Sequence, residues 1–134
     1  MIGIDTNLLV RYITQDGEEA PAVTRHLEAE CTVEQPGFVC LVVLCELVWV
    51  LRHAYKYDRP AIAAILERLL ATAEFEIQQA TLVWRALGDY RAGPADFSDY
   101  LIGQIADEHQ ATPVHTLDRK AARQPLFLLV GTGT

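Results

Sequence analysis

The 134-residue sequence predicts an α/β protein: a three-layer α/β/α sandwich with a short, mostly parallel, twisted sheet. Three observations predict it. Short strand-like runs alternate with helix-like runs along the whole chain. Several of the strand-like runs are apolar at every position, the pattern of strands covered on both faces. Acidic residues stand where two of these runs end, and ligands of parallel sheets bind at the carboxyl ends of the strands.

Taken in order, Ile2–Asp5 reads as a first strand that ends in the polar cluster Asp5-Thr6-Asn7, and Leu8–Ile13 as a turn or two of helix. Gln15–Ala20 is a polar break, after which Pro21 fits the start of a helix running to about Cys31. Gln35-Pro36-Gly37 is a turn, Phe38–Cys40 a strand, and Leu41 to about Tyr55 an apolar helix. Asp58-Arg59-Pro60 reads as an N-cap with proline in the first turn of a helix to about Thr72. Phe75–Gln78 is a short strand, Thr81–Arg91 a helix closed by Gly93-Pro94, and Asp96–Gln110 another helix. Pro113–Leu117 is a strand ending at Asp118, Arg119–Arg123 a short helix, and Leu126–Val130 a last strand.

Composition bounds the functional class. At 51% hydrophobic and without linker, charge block or repeat, residues 1–134 are expected to form one domain with a substantial core. The opening residues have no signal-peptide pattern, and the apolar run Phe38–Leu51 is too short to span a bilayer. The three cysteines, Cys31, Cys40 and Cys45, fit no disulfide framework, which with the previous points predicts a soluble, reduced, cytoplasmic protein with no membrane association. A net charge of −7 argues against nucleic-acid binding through an overall basic surface, though not against a polyanionic substrate held at an acidic metal site.

Glu46 is the one charge in the run FVCLVVLCELVWVL. In a helix its neighbours three and four positions away are Val42, Val43, Trp49 and Val50, none of them a cation. Either this residue points outward through a gap in the core, or, since a buried carboxylate without a partner costs several kcal/mol, it is expected to find a cation elsewhere, whether an arginine or a metal ion. Asp5 and Asp118 each follow an apolar strand, where helix capping alone explains either one. In Ala95-Asp96-Phe97-Ser98-Asp99-Tyr100-Leu101-Ile102, Asp96 is placed as an N-cap with Asp99 three residues on. The cap accounts for Asp96 more fully than for Asp99, whose short side chain reaches back less easily than glutamate. Converging carboxylates repel one another, and a hard divalent cation such as Mg²⁺ or Mn²⁺ relieves that repulsion through oxygen ligands. The four histidines have no ligand spacing, no glycine loop cradles a phosphate, and a nucleophilic-serine triad has only Ser98 to draw on.

The opening Ile4-Asp5-Thr6-Asn7, Glu46 in its apolar helix, the Ala95–Ile102 segment and Thr116-Leu117-Asp118 together resemble the PIN-domain ribonucleases. In size and motif order the chain is similar to the VapC toxins of prokaryotic toxin–antitoxin pairs. The resemblance covers essentially the whole chain. It implies a PIN-like fold, metal-dependent hydrolysis of RNA phosphodiesters, and an acidic quartet at Asp5, Glu46, Asp99 and Asp118. Thr6, Asn7 and Thr116 match its supporting polar residues, and Asp96, the competitor of Asp99, becomes a cap. Mg²⁺, with Mn²⁺ as a substitute, is the implied cofactor; Asp5 and Asp99 are the implied direct ligands. RNA, a VapB-like antitoxin and a second copy of the chain are the implied partners. Arg11, Arg52, Arg119, Lys120 and Arg123 are candidates to steer the phosphate backbone.

Other readings stand beside this one: a PIN-type nuclease of RNA processing without an antitoxin, a haloacid-dehalogenase-like phosphatase, and a catalytically silent interaction module. The phosphatase needs an acid two residues after Asp5, where this chain has Asn7. A phosphoryl-accepting receiver domain needs a lysine after the last strand, and residues 126–134 contain none.

Overall fold

The computed structural model describes residues 1–131. Helices and short strands alternate as expected, and every strand pairing is parallel. The chain divides into two compact units, Met1–Ala80 and the remainder from Thr81.

In the first unit the strands β1 (Ile2–Gly3), β2 (Gly37–Val39) and β3 (Phe75–Ile77) lie in the order β1-β2-β3. Ile2 pairs with Gly37, and Gly37 with Phe75. Gly37 is required by close packing: a Cβ there would run into the Ile4 side chain and stand 2.7 Å from Cys31 Sγ. The first helix, α1 (Thr6–Thr14), begins two residues earlier than periodicity predicts, because Asp5 has the extended backbone of an N-cap and its carboxylate accepts the Thr6 N–H. The second, α2 (Ala20–Glu30), has the expected proline in its first turn. Helix α3 (Leu41–His53) follows β2 directly, its first N–H satisfied by Gln78 Oε1 at 2.9 Å. Asp58 caps α4 (Arg59–Ala71) by accepting the Ala61 N–H at 2.9 Å. The apolar stripe of α4 supplies core: Ile62, Ala63, Leu66 and Leu69 are all buried.

The second unit holds all of α5 (Ala80–Ala92) but its first residue, α6 (Phe97–Glu108) and the parallel pair β4 (Val114–Thr116) and β5 (Phe127–Leu129). The short helix near Arg119–Arg123 is a single 3₁₀ turn, Ala121–Arg123. Tyr90 and Phe97 pack edge to face, with centroids 6.0 Å apart, and the buried Tyr100 hydroxyl accepts the Ala95 N–H at 3.0 Å. That bond anchors the segment that enters α6.

Burial pushes the Cys31 and Cys45 thiols up, with the charge of Glu30 adding to the effect at Cys31, so both are less reactive than an ordinary thiol. Among the described residues no helix is long and apolar enough to cross a membrane.

Candidate functional site

The expected acids fall into two sets. In the first unit Asp5 stands at the junction of β1 and α1, exposed, with its Oδ1 2.7 Å from the Thr6 N–H. The Thr6 hydroxyl then donates to Glu46 Oε1 at 2.5 Å, tying the first turn of α1 to the second turn of α3. Of the placements open to Glu46, the structure shows the outward one and not a buried ion pair. Its carboxylate is exposed and already hydrogen-bonded. The sequence left this open because α3 is apolar on both faces: Val43, Leu44, Leu47, Val48 and Leu51 are buried, while Val42 and Trp49 face solvent beside Glu46. With no polar face to set against an apolar one, periodicity could not tell which side of α3 points inward. Asn7 is exposed and in the first turn of α1.

In the second unit Asp96 is the N-cap of α6, and its own N–H donates to Asp99 Oδ2 at 3.2 Å. Asp99 therefore does reach back, and the capping box is more complete than its short side chain suggests. One carboxylate oxygen is committed to that bond. Burial pushes the Asp99 carboxyl up, and the charges of Asp118 and Asp96 push the same way, while the hydrogen bond from the Asp96 backbone pulls it down. Asp99 thus sits half-buried among like charges, the environment in which a carboxylate gains most from a cation.

Asp118 is exposed after β4, in a turn that its own side chain builds. Its Oδ1 accepts the N–H groups of Lys120 at 2.9 Å and Ala121 at 3.1 Å, and its own N–H donates to Thr116 Oγ1 at 3.0 Å. Thr116 therefore fixes the backbone from which Asp118 projects.

Two expectations meet a plainer result. Arg11, a candidate phosphate contact, is taken up within its own unit: its Nε donates to Glu19 at 2.9 Å, and its Nη1 donates to the Tyr55 hydroxyl at 3.1 Å with Asp16 3.7 Å away. Nothing in the sequence pairs residues 11 and 55, since 44 positions separate them. Arg119 and Lys120, by contrast, are exposed beside Asp118. Among the described residues no three His, Cys, Asp or Glu side chains are grouped closely enough to hold a metal ion by themselves. A groove of about 660 Å³ between α1, α2 and α4, lined by Tyr12, Tyr57, Ile65, Leu69 and Phe75, contains none of the expected acids.

Short parallel strands, helices between them and carboxylates where β1 and β4 give way to the next turn or helix define an α/β protein with acidic strand ends. The chain belongs to the PIN domain family, whose model matches residues 2–125 and so runs across both units. The VapC ribonuclease of Aquifex aeolicus (strain VF5) is 26% identical over 98 residues, covering 73% of each chain.

Proposed function

We propose that this protein is a metal-dependent endoribonuclease, the toxin of a VapBC-type pair, with Asp5, Glu46, Asp99 and Asp118 as its acidic residues. The observation that carries the reading is the state of Asp99: half-buried, raised by its surroundings, and flanked by the charges of Asp118 and Asp96. The family match and the VapC ribonuclease relative support the same reading.

The donor chemistry fits a hard divalent ion. Asp5, Glu46, Asp99 and Asp118 offer only carboxylate oxygens. Asp5 and Asp99 are the proposed direct ligands, with Glu46 and Asp118 binding a second ion or orienting the attacking water. When bound, Mg²⁺ or Mn²⁺ would lower the pKa of a water and offset the charge that develops on the phosphate.

The remaining work falls to the chain. The Thr6 hydroxyl fixes one oxygen of Glu46 and leaves the other to orient a water or ligand. Thr116 and the Lys120 and Ala121 N–H groups hold the Asp118 turn. The exposed Arg119 and Lys120 place positive charge next to that acid, where a phosphate of the substrate would approach. A VapB-like antitoxin that sets a basic side chain among the carboxylates would silence the enzyme, and a homodimer is the proposed assembly.

Cleavage of structured RNA by the purified chain tests this reading. Activity is expected with Mg²⁺ or Mn²⁺ and is expected to vanish for Asp5→Asn. Full activity of both Asp5→Asn and Asp99→Asn would remove the acidic site from the mechanism.

A further inference from the structure

The second unit carries a pocket of about 490 Å³ between the last turn of α5, helix α6 and the segment that leads into β5. Its walls are closely packed. A Cβ at Gly93 would run into the Tyr100 hydroxyl, and that hydroxyl accepts the Ala95 N–H at 3.0 Å, so Gly93-Pro94-Ala95 lies pinned on α6. Gln124 in turn packs so tightly on α6 that a Cβ at Gly103 would stand 3.1 Å from its Oε1.

The polar lining is mixed in sign. Asp89 is half-buried, and its Oδ2 accepts a hydrogen bond from Gln104 Nε2 at 2.9 Å, which fixes the carboxylate and leaves Oδ1 to accept from a ligand. Arg123 lines the same pocket from an exposed position. Ala92, Pro94, Pro125 and Leu126 offer apolar surface to the faces of a flat ring. A phosphate would meet the Asp89 carboxylate and a simple cation the Arg123 guanidinium, so neither suits the lining as a whole. A neutral heterocycle with N–H donors and an acceptor on one edge does suit it. Among the four RNA bases guanine alone sets two N–H donors side by side, N1–H and the N2 amine, next to an acceptor, O6. Adenine and cytosine place a ring-nitrogen acceptor beside their amine, and uracil sets its one N–H between two carbonyls.

We propose that this pocket holds a guanine of the RNA substrate near the phosphate that is cut. Asp89 accepts from N1–H and the N2 amine, Arg123 donates to O6, and Gln104 positions Asp89. The proposal rests on the nuclease reading and adds a base preference to it. A free guanine nucleotide presents the same edge, but the place of the pocket favours the substrate. The Gly93-Pro94 wall runs on into Asp96 and Asp99, and the wall from Arg123 to Leu126 follows the turn that Asp118 builds. Both walls are therefore continuous with the segments that bear the acids of this unit. Because both are closely packed, little ordering opposes entry of a base.

The test maps cleavage of a randomised single-stranded RNA pool by the full chain with Mg²⁺ or Mn²⁺, reading the base at each position around the cut. Guanine is expected to be enriched about tenfold at one fixed position. Asp89→Asn, which keeps an acceptor for Gln104 and puts an amide N–H₂ in place of the second oxygen, is expected to erase the enrichment. Ala92→Phe, which fills the pocket from an exposed position, is expected to do the same. Gln104→Leu is expected to reduce the enrichment by a smaller factor, whereas a merely structural loss would lower cleavage at all sequences alike. Asp107→Asn, exposed farther along α6, is expected to retain it. Guanosine monophosphate and adenosine monophosphate are titrated in parallel by calorimetry against the unsubstituted and Asp89→Asn chains.

Even base composition around the cut, or guanine enrichment that survives both Asp89→Asn and Ala92→Phe, overturns the proposal. So does guanosine monophosphate binding that Asp89→Asn abolishes while cleavage shows no guanine preference, which would assign the pocket to a free nucleotide. If the unsubstituted chain cleaves no RNA with Mg²⁺ or Mn²⁺, the nuclease reading fails and this inference fails with it. Cleavage that is indifferent to guanine overturns this inference alone.

Discussion

Among the described residues the hydroxyl of Thr6 is the one side-chain donor on Glu46, and the bond is short, at 2.5 Å. A hydrogen bond to a charged group contributes more than a neutral one, yet here both partners are near solvent, so the effect on folding is small. Its effect on the orientation of Glu46 is larger. Thr6→Val, which keeps the shape and removes the donor, is expected to lower the cleavage rate about tenfold, or ~1.4 kcal/mol in the barrier. Thr6→Ser is expected to restore most of it, and steady-state cleavage of one RNA by the three proteins checks this. Asp99 makes a second prediction through pH. Its folded-state pKa is raised above the unfolded value by burial first, and then by Asp118 and Asp96. An acid of this kind favours folding while it is protonated: that contribution is present below the ordinary carboxylate range and is lost as pH rises through the raised value. In EDTA, therefore, Asp99→Asn is expected to equal or exceed the unsubstituted chain in thermal stability at neutral pH, and to lose that advantage in acid. The same variant is expected to be inactive. Asp96→Ala, which removes the cap, is expected to keep activity and lose ~1 kcal/mol of stability. Thermal melts across pH, run beside cleavage assays, separate the two aspartates.

At the scale of elements, much of the structure was legible because short-range chemistry decides it. Asp58 and Pro60 announced α4, Asp96 announced α6, and the strands β1 to β5 fall within or one residue from the apolar runs that predict them. Features that depend on tertiary packing were not legible. The α3 run is apolar all round, so its sequence hides the fact that Val42, Glu46 and Trp49 share the solvent side. The Arg11 network was hidden too, because Glu19 and Tyr55 reach it from the α1–α2 connection and the segment after α3. The turn after β4 contrasts with that network. There Asp118 folds its own backbone through two N–H bonds, and Arg119 and Lys120 project into solvent from the same turn. A phosphate contact releases condensed counterions, so each one lost reduces the slope of log affinity against log salt concentration by a little under 1. Arg119→Ala and Lys120→Ala are each expected to produce that change and to weaken binding across RNA sequences alike. Arg11→Ala is expected to leave the salt slope unchanged, since its guanidinium is already engaged by Glu19 and Tyr55. Fluorescence-anisotropy titrations over a salt series distinguish these outcomes.

At the scale of the molecule, acidity sets the terms on which a nuclease of this composition works. Lys and Arg number 11 against 18 Asp and Glu, so long-range attraction of RNA by the protein alone is weak. The PIN family match spans residues 2–125 and takes in both units, so the acids of each unit lie within the matched region. Under the proposed function, the cation changes the local charge at the acids as well as the chemistry, and its removal acts on both. Chelation by EDTA is expected to abolish cleavage and also to weaken RNA binding, and added Mg²⁺ or Mn²⁺ to restore both. The ion is further expected to raise the melting temperature of the unsubstituted chain in proportion to the logarithm of its concentration once the site is filled. Because Asp5 and Asp99 are the proposed direct ligands, Asp5→Asn and Asp99→Asn are expected to lose most of that thermal shift, whereas Thr6→Val is expected to keep it. Melting curves across a Mg²⁺ series for these four proteins read metal binding independently of activity. Equal shifts in all four would show that the ion acts elsewhere on the protein and that the four carboxylates do not hold it.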